Sequence, residues 1–82
     1  MTVEVTVQLH EISEIVCLQL GVQQANGGDH LQEDLDADSA DVLNIVVAVE
    51  DRYGVAISEE HVSGLRTVED LYRIVVRLTA EQ

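Results

Sequence analysis

Eighty-two residues allow one small domain and no second one. Sixteen Asp and Glu against four Arg, with no Lys, give a formal charge of -12. That balance excludes the basic face that nucleic acid or an anionic membrane would require. Hydrophobic residues make up 46% of the chain, too many for a disordered acidic tail, so the chain is expected to fold. Phe and Trp are absent, which leaves an aliphatic core with Tyr53 and Tyr72 as the aromatics. The single cysteine, Cys17, forbids an internal disulfide and suits a reducing compartment. The longest apolar run, Ile45 to Val49, is too short to span a bilayer, and the N-terminus lacks a secretory pattern. A cytoplasmic location is expected. So small a core leaves little room for a deep cleft, so self-contained catalysis is not expected.

Residues 1–5 are expected to be extended or frayed, and 6–82 to form one domain. Val3, Val5, Val7 and Leu9 alternate in a strand-like way. From Leu9 the spacing changes, and Ile12, Ile15, Val16 and Leu20 fall on one helical face with Glu11 and Glu14 opposite. A first helix is therefore predicted over about 6–20, closed by Gly21. The stretch 21–37 has no sustained period and contains the turn signal Asn26-Gly27-Gly28-Asp29. Leu31 and Leu35 could anchor this long loop onto a core. Loops of such length are commonly functional.

Asp38 is a good N-cap, and Asp41 three positions later makes a near capping box for a second helix that stops at Gly54. The β-branched run Ile45-Val46-Val47-Ala48-Val49 pulls toward a strand. Length, two caps and the unalternating Glu50-Asp51-Arg52 favour the helix. Ser58-Glu59-Glu60 opens a short helix that ends near Gly64. Thr67 caps the last helix, with Asp70 in the box position and Val68, Leu71, Tyr72, Val75 and Leu78 as its apolar stripe. The expected fold is all-α, a small antiparallel bundle of three main helices and one short one. A long loop joins the first and second helices.

Ser39 is the candidate residue for chemistry. It follows the Asp38 cap, so its hydroxyl would face solvent in the first helical turn, where free N–H groups and the helix dipole favour phosphate. A serine at this position can also be no more than part of a cap. Asp34, Asp36, Asp38 and Asp41 crowd the same turn and could steer a basic partner. The alternate spacing of the first three imitates a calcium loop, but Ser39 stands where that template needs Gly and Ile45 where it needs Glu. His10, His30, His61 and Cys17 have no metal-ligand spacing, and no catalytic or metal site is expected. Apolar residues spread round nearly all of the second helix, so part of the set Ala40, Val42 and Val47 is expected at the surface. There, beside Asp41, Asn44, Glu50 and Asp51, they would make a partner-docking strip.

Together these pieces resemble an acyl carrier protein. The strongest stretch, Glu33-Asp34-Leu35-Asp36-Ala37-Asp38-Ser39-Ala40-Asp41, is similar to that family's Asp-Leu-Gly-x-Asp-Ser-Leu-Asp motif. Glu50-Asp51-Arg52-Tyr53-Gly54-Val55 and Ile57 resemble the end of its second helix. Leu65-Arg66-Thr67-Val68 with Asp70-Leu71 resembles the start of its last one. The resemblance implies that Ser39 receives 4′-phosphopantetheine from coenzyme A, through a phosphopantetheinyl transferase, and that the arm carries acyl groups as thioesters. It implies a non-catalytic carrier for fatty-acid, polyketide or other specialised acyl biosynthesis, whose core sometimes shelters the acyl chain. Asp36, Asp38, Ala40, Asp41, Val42, Asn44, Val47 and Glu50 would form the surface read by basic patches on acyl-loading and acyl-processing enzymes. The chain departs from the pattern at Asp36, where the family usually has Gly, at Ala40, where it has a large apolar residue, and at Asn44, often acidic. A monomer is expected. The alternative is an unmodified carrier-fold protein acting as an acidic docking module or homodimer.

Overall fold

The computed structural model describes residues 6–81. The expectation for residues 1–5 lies outside the described residues. Four helices follow in order: α1 (Leu9–Leu20), α2 (Ser39–Tyr53), α3 (Glu59–Ser63) and α4 (Val68–Ala80), with no strand among the described residues. α1, α2 and α4 pack on one another, as the bundle expectation required.

Each helix boundary has a local cause. α1 starts later than the predicted 6 because Gln8 is extended (φ -117°, ψ 145°) and its N–H donates to the Glu11 carboxylate at 3.0 Å. Val7, just before this junction, is buried with Ile12 in the core, which fixes how the chain enters the helix. Gly21 and Gly54 end α1 and α2 with φ of 68° and 65°, in the left-handed region that glycine occupies without a Cβ penalty. Asp38 and Asp41 form the reciprocal box at the start of α2, and Thr67 and Asp70 the one at the start of α4.

The core is aliphatic. Ile12 and Val16 from α1, Ile45 and Val49 from α2, and Val68, Leu71 and Val75 from α4 are wholly shielded from solvent. Among the described residues, no polar or charged one is buried with them. The β-branched run of α2 stays helical because Ile45, Val46 and Val49 enter this core together. Tertiary burial outweighs the small helix-propensity deficit of such residues.

The long loop is strapped rather than loose. Leu31, with 1% of its surface exposed, plugs into the core, and Ala25 and Ala37 are buried beside it. Backbone bonds tie the loop to the start of α4: Leu31 N–H to Arg66 C=O at 2.9 Å, Val68 N–H to Asp29 C=O at 3.2 Å, and Glu69 N–H to Gly27 C=O at 2.8 Å. His30 and Thr67 pair as an isolated antiparallel bridge. The loop therefore holds the start of α2 in a fixed relation to the start of α4.

Candidate functional site

The site is assembled at the N-terminus of α2. Asp36 turns the chain into it with φ +57°, the sole positive φ at a non-glycine residue among those described. That left-handed step lets Ala37 dive into the core while its N–H donates to Leu31 C=O at 2.8 Å. An L-residue pays for this conformation through the approach of its Cβ to the backbone, although Asp tolerates it better than most. The step accounts physically for glycine at this position in the acyl carrier pattern.

Asp38 follows as N-cap. Its carboxylate accepts the Asp41 N–H at 2.8 Å, and the Asp41 carboxylate accepts the Asp38 N–H at 3.1 Å. Ser39 is then the first helical residue, exposed, with no hydrogen bond engaging its hydroxyl among the described residues. The cap has taken the third N–H of the helix, while the N–H groups of Ser39 and Ala40 find no acceptor among the described residues. Two free donors and the positive end of a helix of 15 residues thus lie beside a solvent-facing hydroxyl. That arrangement suits a phosphate ester at the Ser39 oxygen.

Beside Ser39 opens a groove of about 530 Å³, within the size range of small-molecule sites. Buried Leu31 and Val42 make its apolar floor, and Leu43, Val62, Leu65 and the exposed Arg66 line it as well. Sequence reasoning missed this groove. Its walls come from the long loop, α2, α3 and the α3–α4 turn, and only the strapping of the loop brings them together.

The docking residues divide. Ala40, Asn44 and Val47 are exposed on α2, as are Asp36 and Asp38 just before it, and Asp41 is half-buried. Val42 departs from the expected exposure: at 7% exposed it belongs to the core and the groove floor. Leu43, 54% exposed, takes its place on the outer face and lies in line with Ala40 and Val47 at helical spacing. The sequence signal for Leu43 was present, in the apolar surplus round the helix, but the choice of face needed the packing. Glu50 is half-buried and already engaged, its carboxylate accepting the Ile57 N–H at 2.7 Å and so tying down the turn after Gly54.

Asp34 does not join a cation cage. Its carboxylate accepts the His30 N–H at 2.7 Å, and no group of three or more His, Cys, Asp or Glu among the described residues could hold a metal ion. No helix among the described residues is long and apolar enough to cross a membrane.

Comparison with known proteins gives one answer. A family described as "phosphopantetheine attachment site" matches residues 10–75. An acyl carrier protein of Rhodococcus erythropolis is 45% identical over 49 residues, which span 60% of this chain and 54% of that protein. A meromycolate extension acyl carrier protein of Mycobacterium tuberculosis is 45% identical over 49 residues, 60% of this chain and 43% of that one. The match thus spans about half the length of these curated relatives. Among solved structures, an acyl carrier protein of Thermotoga maritima superposes with a TM-score of 0.76 at 29% identity, over 89% of this chain and 87% of that chain. With a capped second helix presenting a free serine hydroxyl, and a family match running through all three main helices, the chain belongs to the phosphopantetheine-binding family of the acyl carrier proteins.

Proposed function

We propose that Ser39 carries 4′-phosphopantetheine as a phosphodiester, and that the terminal thiol of that arm ferries acyl groups as thioesters between enzymes of acyl biosynthesis. The observation that carries this reading is the exposed, unengaged Ser39 hydroxyl beside two unpaired N–H groups at the start of α2. A separate transferase supplies the arm from coenzyme A. The Ser39 oxygen attacks the phosphorus, the pyrophosphate bond breaks, and adenosine 3′,5′-bisphosphate leaves.

Partner enzymes read the outer face of α2. Ala40, Leu43 and Val47 form an apolar strip flanked by Asp36, Asp38, Asn44 and Asp51, all exposed. Exposed carboxylates around it complement a basic patch and speed encounter. Ala40 contributes one methyl where the acyl carrier pattern has a large side chain, so docking leans on Leu43 and Val47. Glu50 supports this face indirectly, by fixing the turn below it, and Val42 by filling the core behind it.

The same strip would also serve an unmodified docking module, and one substitution separates the two. With a tagged coenzyme A and a broad-specificity phosphopantetheinyl transferase, the native chain should take up the tag and Ser39→Ala should not. Uptake by neither, from folded protein, would favour the docking module.

A further inference from the structure

Arg66 is anomalous in a chain of charge -12. Arg52 is committed to Glu11 at 3.5 Å and Arg73 to Glu69 at 2.6 Å, whereas no carboxylate among the described residues pairs with the Arg66 guanidinium. The other arginine without an ion pair among the described residues, Arg77, sits in the last turn of α4, where a cation suits the helix dipole. Arg66 has no such reason, and it lines the groove beside Ser39.

Its backbone is pinned on both sides. The Arg66 C=O accepts the Leu31 N–H at 2.9 Å, and the Arg66 N–H donates to the Asp70 carboxylate at 3.1 Å. The base of the side chain is thus held where the loop and α4 meet, and Arg66, exposed and carrying five N–H donors, lines a groove whose buried lining is Leu31 and Val42. A saturated chain lying there would leave those donors to water. An anionic cargo would meet the overall negative field and Glu33, which also lines the groove. A neutral carbonyl oxygen meets neither objection: it accepts from the guanidinium while its flanking methylenes rest on the apolar floor.

We propose that Arg66 is a specificity-determining residue that holds the keto oxygen of a short β-oxo acyl group in the groove beside Ser39. This rests on the carrier reading of Ser39. It adds the cargo class: acyl groups retaining carbonyl oxygens, in preference to fully reduced chains of equal length.

The test compares hexanoyl and 3-oxohexanoyl, which differ at one carbon. Both are attached to the native chain through amide-linked arms transferred from coenzyme A analogues, and mass spectrometry confirms loading. The Arg66 Nε–H resonance and the Leu31 and Val42 methyls should shift with the oxo chain and much less with the saturated one. Arg66→Gln should lower the groove-bound fraction of the oxo chain about tenfold, roughly the worth of one charge-assisted hydrogen bond, and leave hexanoyl unchanged. Equal shifts for the two chains, or an oxo preference that survives Arg66→Gln, would overturn the proposal. The same pair added as free acyl-pantetheines reads the groove without attachment. Failure of loading therefore counts against Ser39 alone, while the free pair still decides Arg66 by the same criteria.

Discussion

Asp36 shows how a single dihedral angle joins stability to the site. Its φ of +57° turns the chain into the cap of α2, at a position where an L-residue is strained and glycine is not. Asp36→Gly is expected to be more stable than Asp36→Ala by about 1 kcal/mol, because alanine keeps the Cβ strain without the polar side chain that eases it. Urea unfolding of the two variants checks this, and equal midpoints would contradict it. Tyr53 poses the opposite problem. Its hydroxyl oxygen is buried with no hydrogen-bond partner among the described residues, and burial, reinforced by Glu11 and Glu14, raises its pKa against the lowering influence of Arg52. Tyr53→Phe removes that unpaired group, so it should leave stability unchanged or raise it by up to about 1 kcal/mol in thermal unfolding. A clear loss would show that the hydroxyl has a partner. Neither feature could be read from local pattern: a positive φ leaves no mark on an Asp, and the partners of a tyrosine hydroxyl depend on what packs over it.

Helix ends were legible because their chemistry is local. Asp38 with Asp41 and Thr67 with Asp70 are spaced by the geometry of one turn, so sequence alone fixed both boxes, and Gly21 and Gly54 marked both main stops. The anchoring of the long loop on the core by Leu31 and Leu35 was legible, but its strapping to α4 was not, since Leu31, Asp29 and Gly27 reach α4 through backbone atoms that every residue possesses. The groove and the position of Arg66 were hidden with it. At the α4 box, burial pushes the Asp70 carboxyl up. Hydrogen bonds from the Thr67 and Arg66 backbone, the Thr67 hydroxyl and the charge of Arg73 outweigh it, and the net pKa lies below the ordinary value. A carboxyl with a depressed folded pKa stabilises above its unfolded pKa of about 4 and loses that contribution as pH falls through the folded value. The stability difference between the native chain and Asp70→Asn should therefore be full at neutral pH and shrink below about pH 4. A difference that stays constant down to pH 2 would show that the ionised form is not the one that caps α4.

Over the whole molecule, sixteen carboxylates face four arginines, and two of the arginines are held in exposed ion pairs. Self-repulsion opposes the compact state and is screened over about 8–10 Å at moderate ionic strength. The melting temperature should rise between low and moderate salt, and a flat response in calorimetry would show that the carboxylates are too far apart to repel. On the docking reading proposed above, the same charge draws basic partners to α2, so part of the fold's stability is exchanged for encounter rate. Carrier function requires that Ser39 bear the arm. The decisive measurement is the intact mass of the native chain after incubation with coenzyme A and a phosphopantetheinyl transferase, followed by fragmentation to locate the adduct. One phosphopantetheine is expected, on Ser39, and none on Ser39→Ala. An adduct on another residue, or none on folded native protein, would contradict a carrier role for Ser39.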